Sequence, residues 1–410
     1  MSDREVSPSG WRHTCVGAET EERKERVGGY ADPPTVLSST KHHGLVPSDD
    51  FFRNRTVYST NLANYKTVSR DWFAYATNHL AEGSIGLQDK LESACVSPIY
   101  TVFSCRDKID SSYLYRVLKS PNMLTAYKAH EQASVDRRGA IRYQDFAKIP
   151  LLIPPISEQR QISEILETAD EAIRSTGRLI DKLVLAKKGL LHDLLTLGIH
   201  DTGNPRGRHE SSGRHPSAWH RRDFGELARY VNGYAFKPED WKQAGYPIIR
   251  IQNLNGSTSF NFYDGPVHHR WMIYPGDLLF AWSGTRDSSF GPTIWRGPQG
   301  LLNQHIFKVH ENKSIVTRAF LHLLMSYHLE RITASAHGFK ASFVHVKRSE
   351  LTSVSVAVPG IAEQGRILHI TECEERLIAA ELLKLNMMRL LKAGLMDDLL
   401  TGRIRVGSLA

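Results

Sequence analysis

The segment Pro154-Pro155-Ile156-Ser157-Glu158-Gln159 returns 205 residues later as Pro359-Gly360-Ile361-Ala362-Glu363-Gln364. The spacing then holds without a gap for about forty residues. Leu190-Leu191-His192-Asp193-Leu194-Leu195-Thr196 becomes Leu395-Met396-Asp397-Asp398-Leu399-Leu400-Thr401. A fixed period of half the chain means two copies of one unit. Two copies favour a pseudo-twofold object, suited to reading two half-sites.

The repeated segment predicts a long helix with a marked start. Pro154-Pro155 holds the chain extended. Ser157 is a good N-cap, Arg160 stands where a capping-box Glu would be, and Glu158 puts negative charge in the first turn. Apolar residues recur at Ile162, Ile165, Leu166, Ala169, Ala172, Ile173, Leu179, Ile180, Leu183, Ala186, Leu190 and Leu194, the three-four spacing of a coiled-coil seam. Ile367, Ile370, Leu377, Ile378, Leu385, Met388, Leu391, Leu395 and Leu399 repeat it. A helix of about 40 residues is ~60 Å long, and so wide an apolar stripe needs a partner. The two copies are natural antiparallel partners.

The boundaries follow. The expected fold class is α+β: two globular α/β domains separated by two long helices packed as an antiparallel coiled coil. The first domain takes residues 11–155 and the first spacer helix 156–199. The tract 200–218, with Gly203, Pro205, Gly207, Gly213 and Pro216 among Arg and Ser, reads as a linker. The second domain takes 219–360 and the second helix 361–402. Trp11-Arg12-His13 with Gly17 loosely parallels Trp219-His220-Arg221 with Gly225, but the domain interiors show no match. Strands are expected over 246–251, 277–282 and 305–309, and helices over 319–335 and 113–119.

Lys and Arg number 52 against 44 Asp and Glu, and the pI is about 9.2. That balance suits a polyanion. Cys15, Cys95, Cys105 and Cys373 have no metal or redox spacing, as free thiols in a reducing cytoplasm would. No apolar run follows Met1, and none approaches a membrane span. A cytoplasmic location is the expectation.

Catalytic motifs are weak. Asp32-Pro33-Pro34 starts like a methyltransferase site, but Thr35 offers no ring to stack on a base. Asp240-Trp241-Lys242 has nuclease-like spacing without a partner acid. The 19 histidines lack the spacing of a metal site. No catalytic residue and no metal ligand is assigned.

Candidate DNA-binding residues cluster where loops are expected. In the first domain they are Lys41, His42, His43, Arg53, Arg55, Lys66, Arg70, Arg137 and Arg138. In the second they are Lys237, Arg250, Gln252, Asn253, Ser283, Arg286, Asn303, Gln304, His305, Lys340, Lys347 and Arg348. Arg, Asn and Gln read base edges, and Lys and Arg hold phosphates. Ordinary solvated surface is the plain alternative for any one of them.

The Pro-Pro-Ile-Ser-Glu-Gln start and the Leu-Leu-His-Asp-Leu-Leu-Thr end resemble the repeats of type I restriction–modification specificity subunits. Residues 246–254, 274–284 and 302–306 are similar to that family's target recognition domains. His43-Gly44-Leu45-Val46 and Val96-Ser97-Pro98-Ile99-Tyr100 resemble another subgroup. The second copy departs in having Gly360 for Pro155, which implies a softer helix start. It also has Glu374, Glu381 and Lys384 along its seam, which implies looser packing or dependence on a partner.

The resemblance implies a non-catalytic subunit of a phage-defence system that reads a bipartite double-stranded DNA target. Two copies of a modification methyltransferase subunit would be its partners, with a restriction or translocase subunit as a further one. S-adenosylmethionine, ATP and Mg would sit on those partners, with no cofactor on this chain. Glu158-Gln159 and Glu363-Gln364 would offer partner surfaces. The alternatives are a standalone DNA-modifying enzyme, methyltransferase or nuclease, and a coiled-coil interaction protein without a DNA role.

Overall fold

The computed structural model describes residues 8–29, 34–53, 55–133, 140–199, 218–285, 288–334, 337–340 and 343–408. The chain divides into two units, one of residues 1–178 with 382–410, the other of 179–381. The two long helices, Ile156–Thr196 and Ile361–Thr401, each contribute residues to both. The tract from His200 to Ser217, expected as a linker, lies outside the described residues, as do Asp32 and Pro33.

Each unit is built on the same core. In the first, a four-stranded antiparallel sheet has the order Thr20–Arg23, Tyr100–Cys105, Trp72–Ala76, Ile85–Gln88. In the second the order is Ala228–Asn232, Ile306–Glu311, Leu278–Ala281, Gly291–Ile294, also antiparallel. A two-stranded pair closes each domain, Arg12–Cys15 with Pro150–Ile153 and His220–Asp223 with Ser355–Val358. The last strand of each pair leads into a long helix. So the domain interiors do correspond, although their side chains gave no sign of it. Sheet order survives any change that keeps alternate positions apolar.

What differs is attached to that core. The first unit adds the hairpin Leu37–Thr40 with Gly44–Pro47 and the pair Lys66–Ser69 with Ser93–Val96. The second adds a sheet of Asn261–Tyr263, Tyr246–Ile249, Gly300–Leu302 and Met272–Ile273, and another of Ser283–Thr285, Phe343–His345 and His337–Lys340. The expected helix over 319–335 is two, Arg318–Tyr327 and Leu329–Ala334, and the other is Ser111–Leu118.

Within each unit, half of one long helix packs antiparallel on half of the other. In the first unit Leu399 joins Ile162 and Leu166 in the core. Asp170 accepts from Lys392 and, at 2.9 Å, from Arg116. In the second, Leu194, Leu195 and Ile367 share a core, and Lys187 pairs with Glu375 at 2.7 Å. The buried seam is narrower than expected: Leu179, Ala186, Leu377 and Leu391 are exposed.

The helix starts correct three expectations. Ser157 is not the cap, because the helix begins at Ile156 and Ser157 is exposed. Gly360 starts its helix with the same bond as Pro155: each carbonyl accepts the N–H of the Gln four residues on, at 3.0 Å. And the Glu-Gln pairs are not free surface. Gln159 and Gln364 are buried. Glu158 takes two bonds from Arg405, at 2.7 and 2.8 Å. Glu363 accepts from the Ile199 N–H and the Trp219 indole N–H, both at 3.0 Å. A buried polar group must find such a partner.

The four cysteines are free thiols. Among the described residues no group of side chains could hold a metal, and no helix is long and apolar enough to cross a membrane.

Candidate nucleic-acid interface

In the first unit Lys41, His42 and His43 form the exposed tip of the Leu37–Pro47 hairpin. The turn is fixed locally: the Thr40 hydroxyl accepts the His43 N–H at 2.9 Å and donates to the Gly44 carbonyl at 3.1 Å. Gly44 takes a φ of 63°, which suits glycine. The tip is also held from behind. The Lys119 ammonium donates to the carbonyls of Lys41 and Gly83, each at 2.7 Å. Burial, with Lys41 nearby, pushes the Lys119 pKa down to about 8. Gly86 lets the hairpin approach, since a Cβ there would lie 2.4 Å from the Leu45 nitrogen. Arg53 and Arg55 stand exposed after the short helix Ser48–Phe51, Arg53 in the left-handed region at φ 52°.

Two candidates of this domain are bound up in structure. Lys66 is half-buried, and its ammonium is given to the Tyr100 carbonyl. Arg70 is held by Glu92 at 2.9 Å and by the Asp89 carbonyl at 3.2 Å. Arg137 and Arg138 lie outside the described residues.

In the second unit, Arg250, Asn303, Gln304, His305 and Arg348 come from three distant segments to one region around Trp282. The Trp282 ring lies 5.2 Å from His305, 4.9 Å from His345 and 5.9 Å from Phe307. Its indole N–H donates to the Gln304 carbonyl at 3.2 Å. The Arg348 guanidinium sits 5.2 Å over the Phe307 ring and donates to Asn232 at 3.0 Å. Arg250 lies 5.0 Å over Trp241 and donates to Asn261 at 3.1 Å. Burial lowers the His305 pKa, and His345 and Arg250 lower it further, so His305 is neutral at pH 7.

The remaining candidates divide. Asn253 is buried, its amide spent on the carbonyls of Ser257 and Ser259 and its oxygen on the Arg250 N–H, so it builds the loop. Ser283 is buried in a strand opposite His345. Asn303 is half-buried beneath Gly233, where a Cβ would meet the Asn303 carbonyl at 2.3 Å. Gln252, Lys237 and Lys347 are exposed. The Lys237 N–H bonds Asp240 at 2.8 Å, so Asp240-Trp241-Lys242 is a surface turn. Arg286 lies outside the described residues, and Lys340 is described only as backbone, in the strand His337–Lys340. His345 and Lys119 stand beside these candidates without a local pattern to mark them: strand pairing across a long separation places His345, and the end of the helix Ser111–Leu118 places Lys119.

The type I restriction modification DNA specificity domain matches residues 51–184 and 216–383. The chain is 29% identical over 150 residues to the specificity subunit of the Escherichia coli type I restriction enzyme EcoBI, 36% of this chain and 30% of that protein. It is 23% identical over 279 residues to the Methanocaldococcus jannaschii type I restriction enzyme MjaVIII specificity subunit, 64% of each. These alignments span less than two thirds of either relative. A chain in a solved structure concerned with complex assembly and conformational transition of the type I R-M system has the same fold, with a TM-score of 0.64 over 97% of this chain and all of that one, at 15% identity.

Proposed function

The chain belongs to the type I restriction modification DNA specificity family, and from that premise we propose that it is the DNA-reading subunit of such a system. Each domain reads one half of a bipartite double-stranded target. One observation carries this: two domains share one core sheet order and carry different added sheets and loops. A common frame with divergent attachments is what two different half-sites require. The long helices set the gap between the half-sites.

The chemistry belongs to partners. Two modification methyltransferase subunits bring S-adenosylmethionine, and a restriction subunit brings ATP and Mg. The long helices are their landing surface. Leu383, Met387 and Leu390 recur at helical spacing and are 63%, 62% and 75% exposed. Apolar stripes left so open on a helix mark a protein interface. The complex works in the cytoplasm, on phage DNA and on the host genome.

Modified-base sequencing of host DNA with and without the gene tests the reading. Loss of methylation at one split motif supports it, and unchanged methylation in a host with an active methylating partner refutes it. Exchange of residues 219–355 for another such domain changes only one half-motif. Lengthening the helix within 186–195 changes the gap.

A further inference from the structure

We propose that His345 and Gln304, set beside Trp282, are the base-reading pair of the second domain, with Arg348 as its phosphate anchor. This rests on the DNA-reading function above and goes beyond it by assigning specificity to two side chains, one of which no sequence motif marked.

The case starts from rigidity. A side chain that discriminates bases must be held in place before DNA arrives. Trp282 is such a platform. Its N–H is committed to the Gln304 carbonyl, and its own carbonyl accepts the Val346 N–H at 3.0 Å. His345 lies edge-on to the ring at 4.9 Å, in a strand paired residue for residue with Ser283–Thr285. It is exposed to solvent. Gln304 is oriented by its neighbour: its amide nitrogen lies 3.2 Å from His305 Nε2. That contact uses one of four hydrogen-bonding positions on the amide. The others, with the exposed His345 ring, supply the donors and acceptors that base-edge reading demands.

Charge fits the same ligand. Arg250 puts positive charge beside His305. Arg348 adds a second cation, steadied by Phe307 and Asn232. A guanidinium held over an aromatic ring beside neutral hydrogen-bonding groups suits a phosphate next to a base edge. Asn253 and Ser283, two further polar candidates of this domain, are buried and cannot compete for that role.

The test uses the full chain in a host that carries its methylating partner, with motif sequencing, and the purified chain binding duplexes of the motif and its single-base variants. The expected result for His345→Ala and for Gln304→Ala is relaxation at one or two positions of one half-motif only. Discrimination there falls about tenfold or more, and the other half-motif is unchanged. Arg348→Ala instead weakens binding to all sequences alike and reduces the salt slope by about one. Unaltered discrimination at every position in both His345→Ala and Gln304→Ala, with thermal unfolding as in the parent, overturns the assignment while leaving the DNA-reading function intact. A parent chain with no sequence preference overturns both.

Discussion

The side-chain oxygen of Gln159 accepts the Asp110 N–H at 2.9 Å, and its amide donates to the carbonyls of Lys108 and Pro154 at 3.3 and 2.9 Å. Gln364 does the same 205 residues later, accepting the Thr317 N–H at 2.9 Å and donating to Ile315 and Pro359 at 2.8 and 3.0 Å. Asp110 and Thr317 each cap a helix of their domain. One glutamine thus ties each domain to the long helix that follows it.

Gln159→Ala and Gln364→Ala should each cost about 1–3 kcal/mol, because each strands a buried proline carbonyl and removes two part-buried hydrogen bonds. Arg160→Ala, exposed on the same turn, should stay within about 0.5 kcal/mol. Denaturant unfolding of the full chain measures all three.

Asp170 is the ionic junction of the first unit. Burial alone would raise its pKa, but the bonds from Lys392 and Arg116 outweigh it and hold the carboxyl below the usual 3.8. Asp170→Ala should destabilise by about 1–2 kcal/mol, less than a fully buried pair would. The native state keeps this group ionised to lower pH than the unfolded chain does. Its contribution is therefore whole above about pH 3.8 and lost as pH falls through the native value. Acid unfolding of Asp170→Asn should lack that component.

Burial lowers the pKa of three histidines in the second unit, His305, His310 and His322. Below the ordinary value of 6.5 the unfolded chain binds protons that the native state refuses. Stability is therefore full above about pH 6.5 and declines as pH falls through the native values. Thermal midpoints between pH 8 and 5 should show this fall. His322→Gln should flatten it.

Lys119 should be a positioning residue for the hairpin tip. Its burial offsets much of what its two hydrogen bonds contribute to folding. Lys119→Met should therefore change the unfolding midpoint little. Hydrogen exchange at residues 40–44 should quicken, and DNA binding should weaken several-fold. Exchange as slow as in the parent sinks this role.

The repeat, the two long helices and the family were legible in the chain itself. Helical spacing of apolar residues and proline at a helix start are local signals, and a gapless 205-residue period needs no coordinates. The shared core sheet was not legible. Its strands pair across long separations, and only alternation is shared between copies, so Phe73 and Phe103 stack at 4.8 Å where the second copy has Leu278 opposite Val309. The candidate site was half legible. Sequence found loops rich in Arg, Lys and Asn, because composition marks surface. It could not tell Asn253, which spends every bond inside its loop, from Gln304, which keeps bonds to give. It could not see that strand register sets His345 against Trp282. Composition places a polar residue near a ligand, and the tertiary structure decides whether its hydrogen bonds are already taken.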